Sequence, residues 1–303
     1  MRVLLIGQAA FGRDVFLRLR EAGEDVVAVA APGQSLSGRA DRLRAAADEA
    51  GVAAFETGRL KEGETQAQIA ALRPEVGVMA FVSDFIPKEA LDLPQHGTFQ
   101  YHPSLLPKHR GRSSINWAIA NGDAKTGVSI FWPDAGWDTG PVLLQREVEI
   151  GPDDTTGSLY YDKLYQLGID MLIESVRLVK EGKAPRTVQD ESQATFERGF
   201  EDRHARVDWS QHGLDVYRLV RAADPSPGAW TELNGAKVRL LSARIEPQTA
   251  VAAGTVGSID EAGIVVGAGS GALRFSKLQA GGAAGPAQEV AREIGLKPGD
   301  RFS

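Results

Sequence analysis

Short apolar runs alternate with segments of helical periodicity from the N-terminus to Val82, and that alternation restricts the chain to a sheet layered by helices. Arg2 to Ile6 reads as a buried strand, and Gly7 opens a turn. Phe11, Val15, Phe16 and Leu19 then recur at helical spacing until Glu21-Ala22-Gly23 closes the helix. Asp25 to Ala31 predicts a second buried strand. A helix from Arg39 to Ala50, a strand from Val52 to Phe55, a helix from Glu64 to Leu72 and an apolar strand from Val76 to Val82 follow. Such an order is expected of a parallel sheet with helices on its faces.

Thr98 to Tyr101, Val128 to Trp132 and Val142 to Ile150 predict three more strands, with a helix around Ser114 to Ala120. Asp153-Asp154-Thr155-Thr156 offers helix caps, and Leu159, Leu164, Leu167, Met171, Leu172 and Val176 sustain a long amphipathic helix. Glu181 to Arg186 and the polar stretch through Ser192 read as a linker. Beyond it the texture changes to one helix, Leu214 to Ala222, and several short strands: Ala229 to Leu233, Lys237 to Ile245, Gly254 to Ile259, Gly263 to Val266 and Ala272 to Leu278. Asn234-Gly235 is a hairpin signal. A small β-barrel or other β-rich domain is expected, with Ala280 to Ala287 as a loose loop.

The 303 residues, 43% of them hydrophobic, can bury a sizeable core. A net charge of -6 weighs against nonspecific binding to nucleic acid or anionic membranes, while leaving room for a local basic patch. There is no cysteine, which excludes disulfides, thiolate zinc sites and thiol nucleophiles, and no metal is called for. The apolar N-terminal stretch is too short for a signal-peptide core and no later stretch is long enough to span a bilayer. The expectation is a soluble cytoplasmic protein.

Gly7-Gln8-Ala9-Ala10-Phe11-Gly12 occupies the first strand-to-helix turn but lacks the G-x-G-x-x-G spacing, and no Lys-Ser or Lys-Thr follows. Ala30-Ala31-Pro32-Gly33 lacks the acidic residue that would hold an adenosine ribose, so a tight turn is expected in place of a nucleotide site. His102 follows a strand and precedes Pro103, at a carboxyl end where open α/β sheets bind ligands. A lone histidine there is more often a satisfied structural residue. Asp138 lies between Gly136 and Gly140 in a loop and by itself reads as a turn residue. Placed beside His102, its charge would orient the imidazole and favour the protonated form that donates to a developing oxyanion.

Tyr101 to Arg112 with Ser114-Ile115-Asn116-Trp117, then Ser129-Ile130-Phe131-Trp132 and Asp138-Thr139-Gly140 with Leu143-Leu144-Gln145, form a combined motif. Together they resemble the 10-formyltetrahydrofolate-dependent formyltransferase family. The likeness is greatest to the hydrolase domain of 10-formyltetrahydrofolate dehydrogenase, and less to methionyl-tRNA formyltransferase and the sugar N-formyltransferases. It continues through Ala194-Thr195, Val207-Asp208-Trp209 and Pro227-Gly228-Ala229-Trp230. The resemblance implies an α/β, Rossmann-like, mostly parallel catalytic domain over residues 1–198 and a small OB-like β-barrel domain over 199–303. It also implies 10-formyltetrahydrofolate as formyl donor, with attack on the formyl carbon.

Residue by residue, His102 and Asp138 match the family's essential histidine and aspartate. Asp84, Phe85 and Ile86 resemble a segment lining the pterin pocket, and Asp134, Ala135, Gly136, Trp137 and Asp138 a loop whose backbone meets the pterin edge. Arg112 matches an arginine of the sugar formyltransferases, and is expected to touch the cofactor or an anionic acceptor. Gln100 departs from the pattern: transferases carry Asn there and the dehydrogenase-type hydrolase an apolar residue. A Gln keeps the amide donor on a longer arm, and strand alternation sets it on the same face as His102. The implied acceptor is water, giving formate and tetrahydrofolate, or a small amine, giving a formamide. A tRNA acceptor is disfavoured because Arg221, Lys237, Arg239 and Arg244 make no basic stripe with interleaved aromatics.

Lys108, His109, Arg110 and Arg112 are the clearest basic cluster, read either as a solvated loop or as an attractor for the folate glutamate tail or an anionic acceptor. Trp117 reads as packing before stacking. A folate-binding protein without catalysis is the rival class.

Overall fold

The apolar runs of the first half assemble into one seven-stranded sheet: β1 (Arg2–Gly7), β2 (Asp25–Ala31), β3 (Ala53–Glu56), β4 (Val76–Ala80), β5 (Thr98–His102), β6 (Lys125–Phe131) and β7 (Val142–Glu149). The computed structural model describes residues 1–33, 38, 40–247 and 250–303. Strand order is β3-β2-β1-β4-β5-β6-β7. β1 runs parallel to β2 and β4, β2 to β3, and β4 to β5, whereas β5 and β6 are antiparallel. All of β4 is buried, as strands covered on both faces must be.

Helices Ala9–Glu21, Arg42–Glu49, Gly63–Ala71 and Tyr165–Lys180 supply the layers. The second was expected from Arg39, which lies outside the described residues. It begins at Arg42 because the Asp41 carboxylate accepts from the Leu43 amide at 2.8 Å. The same carboxylate accepts from the Ala9 amide at 2.7 Å. The helix start where a dinucleotide phosphate would sit thus carries a carboxylate of its own. A β-carbon on Gly7 would lie 2.5 Å from the Ala80 carbonyl oxygen, so this turn is a close-packed crossing.

The chain divides into two compact units: Met1–Arg110, Gly127–Val148 and Asp162–Phe196 form the first, and Gly111–Thr126, Glu149–Tyr161 and Glu197–Ser303 the second. The second contains β8 (Ala229–Leu233), β9 (Ala236–Glu246), β10 (Val256–Asp260), β11 (Gly263–Gly267) and β12 (Ala272–Gln279), ordered β8-β9-β12-β11-β10 and antiparallel throughout. Asn234 and Gly235 both have positive φ, 51° and 81°, the type I′ geometry that two-residue hairpins favour. Val238, Leu240, Val266, Leu273, Phe275 and Leu278 are among its buried apolar residues. Trp117 donates to the Arg198 carbonyl and meets Phe200 edge-on, so it packs.

Ala280 to Ala287 is not wholly a loop. Gly285 and Pro286 pair with β12, and a helix, Ala287–Glu293, follows with Ala287, Val290 and Ala291 buried. Its apolar face is built of small residues, which the Ala- and Gly-rich composition conceals. No helix among the described residues is long and apolar enough to cross a membrane.

Candidate active site

β5 delivers His102 to the carboxyl edge of the parallel strands, and the chain leaves the sheet at Pro103. The departing loop is laced to β6 through fully buried Ser129, whose hydroxyl donates to the Ser104 carbonyl at 2.7 Å and accepts from the Leu106 amide at 3.1 Å. Gln145 reinforces it, donating to the Leu106 carbonyl at 2.9 Å. The loop returns so that the His109 carbonyl oxygen lies 2.8 Å from His102 Nε2. A carbonyl only accepts, so this contact assigns a proton to Nε2. Nδ1 is then the ring nitrogen not committed to this carbonyl.

Asp138 comes to the same imidazole from the loop that follows β6. β6 leaves the sheet at Phe131, which pairs with Gln100, so the following loop must fold back to reach His102. It does: Asp138 Oδ2 stands 3.7 Å from His102 Nδ1, at ion-pair distance, with the two side chains 13% and 7% exposed. The carboxylate thus faces Nδ1 directly in a largely dry setting, where charges are weakly screened. Asp138 holds φ at 55°, and Gly140 is obligatory, since a β-carbon there would come within 1.8 Å of the Trp132 carbonyl oxygen.

Gln189 holds this loop in place. Its Nε2 donates to the Asp138 carbonyl at 2.8 Å and to the Gly140 carbonyl at 2.6 Å, while its Oε1 accepts from Arg110 Nε and Nη2 at 3.1 and 2.8 Å. Arg110 also donates to Glu191 at 2.9 and 2.6 Å. Those hydrogen bonds hold the Glu191 carboxyl below its ordinary range. Sequence reasoning missed Gln189 and Glu191, which fall in the stretch read as a linker, and placed Arg110 in a cluster read as a solvated loop or an anion attractor, whereas it is buried and bonded to both. No spacing pattern links residues about eighty positions apart.

Gln100 is half-buried, shares the His102 face of β5, and its amide has no hydrogen-bond partner among the described residues. Phe85 and Trp137 are 83% and 65% exposed, unusual for large aromatic side chains. Asp84 accepts from the Thr57 hydroxyl at 2.5 Å. Ile86 is buried among Leu4, Ile6 and Met79, which leaves only its backbone for a ligand. Asp134 folds its own loop, accepting from the Gly136 amide at 2.9 Å and the Thr139 hydroxyl at 2.6 Å, and Ala135 is exposed. Of the basic cluster, Lys108 and Arg112 are exposed and His109 and Arg110 buried, and Arg112 belongs to the second unit.

Comparison with known proteins decides the family. The family model described as "Formyl transferase" matches residues 1–176, and "Formyl transferase, C-terminal domain" matches 201–294. This chain belongs to the formyl transferase family. Among its relatives is mitochondrial 10-formyltetrahydrofolate dehydrogenase of Mus musculus, 43% identical over 244 residues, or 78% of this chain and 26% of that protein. The chain therefore spans about a quarter of the length of those dehydrogenases. Methionyl-tRNA formyltransferase of Geobacter metallireducens is 32% identical over 308 aligned positions, covering 100% of this chain and 98% of that one. The crystal structure of HypX from Aquifex aeolicus in complex with tetrahydrofolic acid shares the fold, with a TM-score of 0.71 and 20% identity over 97% of this chain and 47% of the other. The sequence-level resemblance to this family is thus confirmed, as are the mostly parallel N-terminal sheet and the antiparallel C-terminal sheet.

Proposed function

We propose that this formyl transferase family member removes the formyl group of 10-formyltetrahydrofolate and passes it to water or a small amine, with the chemistry in residues 1–198. The observation that carries the reading is the imidazole of His102, tied through Nε2 to a carbonyl and presenting Nδ1 to Asp138. The donor supplies an activated formyl carbon bonded to a nitrogen that leaves as an amine. His102 Nδ1 takes a proton from the attacking water or amine as the new bond to carbon forms, and returns it to the departing folate nitrogen as the old bond breaks. Asp138 stabilises the proton while Nδ1 carries it. Gln100, with an unpaired amide on the same face, donates to the formyl oxygen as negative charge gathers there.

Several features support folate as the donor. Phe85 and Trp137 offer exposed aromatic surface for a fused ring system, and the backbone of residues 84–86 and 134–138 offers donors and acceptors. A small acceptor is favoured because three of the four cations considered in the second unit are engaged internally or buried: Lys237 and Arg239 pair with Asp202 at 2.6 and 3.1 Å, and Arg221 is buried, while Arg244 stands exposed. The test is to incubate the purified protein with 10-formyltetrahydrofolate, with and without candidate amines, and to assay tetrahydrofolate, formate and formamide. Formate alone assigns a hydrolase and amine-dependent formamide a transferase. Binding of reduced folate with neither product would leave a silent binding protein.

A further inference from the structure

We propose that residues 187–195 form a positioning strap, with Gln189 at its centre, that sets the relation of Asp138 to His102. Its chemical consequence rests on the function proposed above. The left-handed backbone of Asp138 costs energy for a residue with a β-carbon, though less for aspartate than for most, and surrounding bonds hold it there. Gln189 imposes it from both sides of the residue that follows, since its two N–H groups are spent on the carbonyls of Asp138 and Gly140. Arginine only donates, so the contact with Arg110 fixes Oε1 toward the guanidinium and leaves Nε2 no other orientation. Gln189 and Arg110 are both more than nine-tenths buried.

The same segment also holds the other wall of the imidazole. Thr195 Oγ1 accepts from the His109 amide at 2.8 Å, its carbonyl accepts from the Arg110 amide at 3.0 Å, and its own amide donates to the Pro107 carbonyl at 3.1 Å. This fixes the His109 carbonyl that receives Nε2–H. Thr187 exchanges backbone hydrogen bonds with Val142 at 2.8 and 2.9 Å, tying down the far end of the Asp138 loop. Both groups that face the ring nitrogens therefore depend on one stretch of chain, and Arg110 joins them, adjacent to His109 by sequence and bonded to Gln189 by its side chain. Gln189 is a positioning residue, acting through Asp138.

Two variants separate its links. Gln189→Met keeps length and volume without hydrogen bonds, and Gln189→Glu keeps an acceptor for Arg110 while removing both donors to the loop. The expected result for each, with a wild-type circular dichroism spectrum, is a kcat for formyl removal lowered about tenfold to a hundredfold at a little-changed KM for 10-formyltetrahydrofolate. Nitrogen-15 NMR of the His102 ring, assigned with His102→Ala, provides a readout independent of turnover: the Nδ1 resonance moves and the Nε2 resonance stays. A folded variant that keeps the wild-type kcat, or the wild-type Nδ1 resonance, overturns the proposal. If the wild-type protein itself cleaves no formyl donor, the functional reading falls, and the Nδ1 resonance alone decides the strap.

Discussion

His102 Nε2 is committed to a carbonyl, so the working atom of this residue is Nδ1, and its neighbours decide what it can do. His102→Ala is expected to leave the fold intact and lower formyl removal by about 100- to 10,000-fold, with folate affinity retained, because the imidazole acts on a proton that moves only in the transition state. Single-turnover kinetics beside a folate-binding titration checks it. Asp138→Asn keeps shape and removes the charge beside Nδ1. A kcat loss of at least tenfold is expected, and wild-type kcat would reduce Asp138 to a loop residue. Gln100→Ile is expected to cost amine formylation about a hundredfold and hydrolysis less, measured as formamide against formate; equal losses would assign Gln100 to the step common to both. The shared face of Gln100 and His102 was legible from strand alternation. Arg110 was misread because a run of basic residues does not reveal a glutamate 81 positions away that neutralises one of them.

Among the elements, the antiparallel pairing of β5 with β6 has the largest consequence for the site. The loop after β6 starts beside Gln100 and must double back to bring Asp138 to His102, and Gly140 makes that path possible. Gly140→Ala is expected to cost about 1–3 kcal/mol or more, read as a lowered unfolding midpoint, and to depress kcat in the fraction that folds. Strands and helices of the first half were readable because each announces its period locally. The strap was not: its polar residues carry no period, and their partners come from segments distant in sequence. The helix Ala287–Glu293 escaped for a different reason, since alanines at two of its three buried positions give little hydrophobic contrast.

At the scale of the whole molecule, Tyr217 ties its hydroxyl to Asp153 at 2.6 Å, and burial, then that bond to a carboxylate, pushes its pKa up to about 12 from the ordinary 10.0. A raised folded value means that the unfolded chain ionises first. Stability from this group is complete below pH 10 and declines as pH rises from there toward 12. Alkaline unfolding should therefore show a decline in that window that Tyr217→Phe lessens, and tyrosinate absorbance should show one late-titrating group that the variant lacks. The sequence by itself determined the parallel βα half, the β-rich half, the family, and the candidacy of His102 and Asp138, because strand and helix periods and motif residues are written in neighbouring positions. Only the tertiary structure decided that Nδ1 faces Asp138, that Arg110 is buried and spent, and that the stretch from Thr187 to Thr195 binds both walls of the site. Those facts depend on hydrogen bonds between segments that chain folding, and no local pattern, brings within 3 Å of one another.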